Sequence, residues 1–217
     1  MKAKGDKYDV SGYPEAQFQP GSRGKVLKNL RGITRLREME ALETAEHERI
    51  LQECIETMNA EKRFTATDIC AMHKNWLGKI YTWAGSYRNV NISKTEFRFA
   101  SALCIPQLMD DFENNILARY TPCKGDIDKV SYGIAVTHAE LILIHPFREG
   151  NGRLARLLSV LMGLQAGFPP FNFDPITGRG KKSYFSAVYS AVDNNYRPME
   201  IIFRKIIEYS LRKAGKI

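Results

Sequence analysis

Apolar residues recur at helical spacing over residues 34–58, where Leu36, Met39, Leu42, Ile50, Leu51, Cys54, Ile55 and Met58 stand among many Glu and Arg. That period predicts one long amphipathic helix or two shorter ones. Thr65 or Thr67, followed by Asp68, opens a second helix with Ile69, Met72, Trp76 and Ile80 on one side, expected to stop near Trp83-Ala84-Gly85. The period then changes to two. Val90-Asn91-Ile92-Ser93 alternates, Lys94-Thr95-Glu96 is polar and Phe97-Arg98-Phe99 alternates again, which predicts a short hairpin. Further helices fit at about 102–118, 126–144, 152–165 and 181–194, and a last one opens at Pro198, a residue suited to the first helical turn.

Before this pattern begins, residues 1–33 carry turn signals at Ser11-Gly12, Pro20-Gly21 and Arg23-Gly24 and show little period, so they read as an irregular arm ahead of one domain at 34–217. No internal repeat or biased stretch interrupts the chain. With 217 residues, 44% hydrophobic and 26% charged, it is large enough to bury a full core. No apolar run approaches the roughly 18 residues that span a bilayer, and the charged start Met1-Lys2-Ala3-Lys4-Gly5-Asp6 is unlike a secretory signal, so a cytoplasmic location is expected. Cys54, Cys70, Cys104 and Cys123 form no CxxC pair and have no histidine at zinc-finger spacing, which suits buried or idle thiols. The net charge of 32 − 24 = +8 attracts nucleic acid, acidic proteins and polyphosphates alike and does not choose among them.

The choice comes from one strip, residues 139–156. An apolar helix ends at His145, because Pro146 biases the residue before it away from helical angles, and the imidazole therefore sits at a helix end facing a loop. After Gly150, Asn151 and Gly152, a helix carrying Leu154, Leu157, Leu158, Leu161, Met162 and Leu164 is apolar on most sides and belongs at the centre of its domain. Its first turn presents open amide N–H groups and a positive dipole end, yet the sequence supplies two more positive charges there, Arg153 and Arg156. Cations at a positive helix end call for an anion between them. Gly150 and Gly152 let backbone amides approach that anion closely, as in other phosphate-binding turns.

Each of these residues has a plainer explanation alone. Glu149 can complement the helix dipole, Asn151 can cap the helix, and His145 can be a core histidine. Coincidence of all of them in one short strip is the poorer account.

His145-Pro146-Phe147-Arg148-Glu149-Gly150-Asn151-Gly152-Arg153-Leu154-Ala155-Arg156 matches the Fic family signature, HxFx[DE]GNGRxxR, at every specified position. The chain is identified by it as resembling that family, and Trp83-Ala84-Gly85, the hairpin and the helix order up to about residue 205 are similar too. The resemblance implies an all-α fold, a Fic-type helical bundle with a short β-hairpin flap. It implies a nucleotidyltransferase that moves AMP from ATP to a Ser, Thr or Tyr hydroxyl of a target protein. His145 would be the general base, Glu149 would hold Mg²⁺ against the phosphates, Gly150, Asn151 and Gly152 would line the anion hole, and Arg153 and Arg156 would bind the phosphate chain. Phe147 would anchor the loop in the core, and the hairpin would hold the target segment by strand-like pairing. Arg148 is expected in solvent; Lys94 and Arg98 either touch target or nucleotide or, as the preferred reading, stand at a solvated hairpin tip. Tyr184, Asp193 and Asn194 either approach the nucleoside or serve helix packing.

Some members of this family transfer phosphate or phosphocholine. Members resembling the Doc toxin carry a lysine where this chain has Gly152, so the glycine favours AMP transfer. Many are restrained by a helix bearing [ST]xxxE[GN], whose glutamate pairs with the second signature arginine. Thr34-Arg35-Leu36-Arg37-Glu38-Met39 comes nearest here, with Met39 in place of Gly or Asn. The alternatives are Thr34 as a helix cap with Glu38 on the surface, or a separate antitoxin-like partner; an oligomer is compatible with the sequence as well. Two other classes fit less well. A metal enzyme using His138, Glu140 and His145 fails on spacing, since His138 and His145 lie about 10 Å apart along a helix. For a basic nucleic-acid-binding protein the positive residues are too scattered, and no zinc finger, RRM signature or basic heptad region is present.

Overall fold

The structure, a computed structural model, describes residues 12–94 and 97–216. The expected hairpin tip at Thr95 and Glu96, Ser11 of the first turn signal and the charged start at residues 1–6 lie outside the described residues.

Helix α1 (Leu36–Glu56) is a single helix, followed by α2 (Ala66–Leu77). Thr65 rather than Thr67 opens α2: its hydroxyl accepts from Asp68 N while the Asp68 carboxylate accepts from Thr65 N, a reciprocal capping box. The helix ends eight residues earlier than Gly85, at Leu77. Ile80 continues the apolar period and is fully buried, but it is buried by turns. The chain folds back so closely that a Cβ on Gly85, at φ +85°, would lie 2.7 Å from Lys74 Cβ.

The hairpin pairs β1 (Ser93–Lys94) with β2 (Phe97–Arg98), antiparallel, Ser93 opposite Arg98. The helix expected at 102–118 is composite. A 3-10 turn at Ala102–Cys104 leads into α3 (Ile105–Asp111), the ladder widens to a π turn over Phe112–Leu117, and α4 (Ala118–Tyr120) closes it. Then follow α5 (Ile127–Ile144), capped by Asp126, α6 (Asn151–Gln165), α7 (Gly180–Ala191) and α8 (Arg197–Lys213), with Pro198 in the first turn of α8.

Helix α5 is the hub, packed against α6, α7 and α8, while α1 and α2 cover the other side of α6. As its all-round apolar pattern requires, α6 is buried along its length by Leu154, Leu157, Leu158, Leu161 and Met162. Residues 12–33 hold one 3-10 turn, Pro14–Ala16, one isolated antiparallel bridge between Phe18 and Leu27, and otherwise irregular chain. They nevertheless enter the core through Val26 and Leu27, and Leu30 N donates to Ile80 O. Among the described residues no helix is long and apolar enough to cross a membrane. Cys123 is buried and its thiol is pushed up to about 12 by burial, whereas Cys104 is exposed.

Candidate active site

His145 ends α5 in the left-handed region, φ 52° and ψ 58°, so Pro146 is accommodated by a turn of handedness at the histidine itself. A non-glycine residue there carries strain of the kind that collects at functional sites. Nδ1 lies 3.0 Å from Ile142 O, which can only accept. Nδ1 therefore holds the proton and Nε2 keeps its lone pair. The Phe99 ring stacks on the imidazole at 3.7 Å between centroids. Burial pushes the His145 pKa down to about 4, against the Ile142 hydrogen bond and with help from the Arg88 and Lys94 charges, so the ring is neutral at pH 7.

The loop after His145 is held from inside. Phe147 is fully buried and stacks on His73 at 3.9 Å. His73 accepts from Gly85 N through Nδ1 and donates to Glu149 O through Nε2, tying Trp83-Ala84-Gly85 to the loop. Asn151, 1% exposed, is not the helix cap: its side chain accepts from Phe147 N and donates to Phe147 O, closing the loop on itself. Gly150 takes the cap position at φ +87°, where a Cβ would meet Trp76 Cζ3 at 2.6 Å. Leu154 N is bonded to Gly150 O, which leaves the amides of Asn151, Gly152 and Arg153 open at the start of α6.

The two arginines differ. Arg153 Nη2 lies 2.6 Å from Glu43 Oε2, and its guanidinium stands over Trp76. Glu43 is buried on α1 and also accepts from Tyr81 OH at 2.6 Å. Arg156 is half-buried, and among the described residues no carboxylate comes within ion-pair distance of it. Burial, with Arg153 adding to the effect, lowers its pKa. The site is therefore short of one negative charge, at Arg156. Glu149 Oε1 accepts from Gly150 N at 2.9 Å and lies 3.6 Å from Arg153, which leaves Oε2 for a cation.

All seven residues singled out by sequence, His145, Glu149, Gly150, Asn151, Gly152, Arg153 and Arg156, line one cavity of about 930 Å³. Its walls add hairpin residues Lys94, Phe97 and Phe99, and Lys181, Tyr184 and Tyr189 from α7. Arg148, expected in solvent, is half-buried and donates to Glu15 O. Lys94 and Arg98 are both exposed, as expected, and Lys94 Nζ also stands over the Phe185 ring. Helix α7 ends at Ala191, before Asp193 and Asn194, and of these candidates only Tyr184 lines the cavity. Its hydroxyl bonds His138 Nε2 at 2.8 Å, and His138 Nδ1 bonds Ser159 Oγ, so His138 is a fully buried link between α5, α6 and α7. Thr34 does not cap α1, whose N-cap is Arg35, and Glu38 is exposed; the carboxylate beside a signature arginine is Glu43. Sequence reading missed Glu43, Arg88 and Phe99, which reach the site from distant segments.

The Fic/DOC family model matches residues 63–162, a span that includes α2, the hairpin, His145 and the anion loop. Over that segment the chain is similar to the Fic/DOC family. It is 30% identical over 163 residues to the protein adenylyltransferase VbhT of Bartonella schoenbuchensis, covering 75% of this chain and 33% of that protein. It is 29% identical over 147 residues to the protein adenylyltransferase fic-1 of Caenorhabditis elegans, covering 67% of this chain and 28% of that protein. The chain thus spans about a third of these relatives or less. Among solved structures, the Fic domain of a Bartonella effector protein from Bartonella sp. AR 15-3 superposes with a TM-score of 0.76 at 20% identity, covering 99% of this chain and 98% of that one. BepC of Bartonella tribocorum, solved with bound AMPPNP, gives 0.67 at 23% identity over 83% of this chain and 91% of that one. The helical bundle with its two-stranded hairpin is the Fic fold.

Proposed function

We propose that this domain transfers AMP from ATP to the hydroxyl of a Ser, Thr or Tyr side chain on a target protein. The observation that carries the reading is one cavity in which a neutral imidazole, the open amides at the start of α6 and the uncompensated Arg156 converge. The names of the relatives, and the nucleotide analogue in BepC, support it. In the reaction the target oxygen bonds to the α-phosphorus and gives its proton to His145 Nε2. The bond from that phosphorus to the bridging oxygen breaks, and pyrophosphate leaves with the electron pair. The amides of Asn151, Gly152 and Arg153 face charge developing on the phosphate oxygens, and Arg156 receives the charge of the chain beyond.

Mg²⁺ fits the site through Glu149, since this ion is commonly held by one or two carboxylates together with substrate phosphates. When bound it neutralises phosphate charge. Labelling a lysate with α- or γ-labelled ATP tests the reading. Label arriving on protein from the α position alone supports it, and label from the γ position overturns it.

Gly152 gives a sharper expectation. A Cβ there meets nothing within 4 Å, so a longer side chain is tolerated by the fold and projects into the cavity. Gly152→Lys is expected to keep the thermal midpoint within a few degrees while α-label transfer falls at least tenfold, as read by melting and labelling of one preparation. Glu38 lies on the surface of α1 and lines neither the main cavity nor the smaller one between α1 and residues 25–27. Glu38→Gly is therefore expected to leave labelling unchanged. A several-fold rise would restore Glu38 as a brake; no change leaves either a separate antitoxin-like protein or no inhibition at all.

A further inference from the structure

Arg88 is 2% exposed, and among the described residues no carboxylate lies within ion-pair distance of it. Among the described residues, every hydrogen bond from its guanidinium goes to a backbone carbonyl. Nε donates to His145 O at 2.8 Å, Nη1 to Val90 O at 2.7 Å, and Nη2 to Ala100 O at 2.6 Å and to Ile144 O at 3.4 Å. Its own N–H donates to Pro146 O at 2.9 Å. Burial lowers its pKa to about 10, so it stays charged at neutral pH.

The acceptors fall in two groups. Ile144 and His145 supply the last carbonyls of α5, at the negative end of that helix, which offsets the missing counter-ion. Val90 and Ala100 are the two stems of the hairpin, just before β1 and just after β2. One rigid guanidinium thus fixes both stems to the backbone that carries the imidazole. Phe99, next to Ala100, lies on that imidazole. Stability alone does not ask for this arrangement, because apolar residues replace buried charges with little or no loss in many proteins. A fixed geometry does ask for it: five donors in a planar fork select carbonyl positions that no other side chain selects.

We propose that Arg88 is a positioning residue of the transfer reaction, holding the hairpin at a set distance from the end of α5 so that a hydroxyl presented along the hairpin arrives at His145 Nε2. This rests on the AMP-transfer reading. Arg88 lines neither cavity, so ATP binding lies outside its role.

The test uses Arg88→Lys and Arg88→Ala in the full chain. Lysine keeps the charge but presents a single compact donor group, so it cannot hold both stems and the helix end together. Three quantities are read: the α-label transfer rate at saturating ATP, the ATP concentration for half-maximal rate, and the NMR shifts of the His145 ring protons, which the stacked Phe99 ring displaces upfield. The expected result for Arg88→Lys is a loss of about 10- to 100-fold in the saturated rate, with half-saturation unchanged and the His145 signals moved back downfield. The proposal is overturned if folded Arg88→Lys protein keeps the wild-type rate, or if its His145 signals stay in place while the rate falls. If Arg88→Ala does not fold, the lysine variant decides. If wild-type protein moves no α-label at all, the AMP-transfer reading fails by itself, and unmoved His145 signals in Arg88→Lys would still overturn the positioning role.

Discussion

His145→Ala is expected to reduce AMP transfer by about 10²–10⁴-fold, the usual cost of removing a general base. The structure gives this number a specific origin. Nδ1 is committed to Ile142 O, so the acceptor the reaction needs is Nε2, and alanine removes it without disturbing Asn151, Phe147 or the amides of α6. ATP affinity is expected to survive, because the proposed phosphate contacts lie in residues 150–156, not at His145. Asparagine is the better control for the backbone, since it tolerates the left-handed conformation at this position more readily than alanine. Both variants are read by α-label transfer beside calorimetric titration with ATP. Transfer undiminished in either would sink the role assigned to His145. The pH profile adds a second check. A base lowered to about 4 stays unprotonated throughout the neutral range, so kcat/KM, which reports the free enzyme, should hold from pH 7 down to about 5. An acid limb centred at the ordinary 6.5 would contradict the buried, stacked environment.

The folded state itself is expected to weaken sharply as pH falls from about 6.5 to about 4. His73 and His138 are fully buried and held neutral, chiefly by desolvation, with pKa values lowered to about 4 and about 3. Unfolded, each takes up a proton near 6.5. The unfolded state then binds more protons than the folded one across this window, and stability must rise with pH through it and fall on acidification. Each histidine contributes about 3 kcal/mol over the whole interval, and the pair about 6 kcal/mol, against a total of about 5–15 kcal/mol for a domain. His47 and His145, also lowered to about 4, act in the same direction. Urea midpoints measured at pH 7.5, 6 and 5 should descend in order, with the steepest step between the last two. Equal midpoints at pH 7.5 and 5 would mean that these rings are protonated inside the fold.

The sequence made the site legible where its chemistry is contiguous. Helix ends, glycines and arginines at 145–156 follow one another along the chain, so their shared purpose can be read from spacing. The main helices were legible for a similar reason, because an amphipathic or all-apolar period is a local record of burial. What escaped was the support brought in from elsewhere. Glu43, Arg88 and Phe99 lie in segments whose local patterns suggest a solvated helix face, a turn and a hairpin. Only tertiary packing brings a carboxylate to Arg153, a guanidinium to His145 O and a ring onto the imidazole. The end of α2 was misplaced because Ile80 satisfies a helical period while being buried by turns.

The Glu43–Arg153 pair also bears on how far the chain can be trimmed. Glu43 lies outside the stretch matched by the family, on a helix that starts well before it. A fragment cut to residues 63–162 would leave Arg153 without its carboxylate, Trp76 Nε1 without the Glu43 carbonyl to which it donates, and Tyr81 OH without an acceptor. It would also strip α7 and α8 from α5 and open the far wall of the cavity. The recognisable segment is thus expected to be a label rather than a self-standing unit, and an autonomous piece of this molecule is expected to start at or before α1.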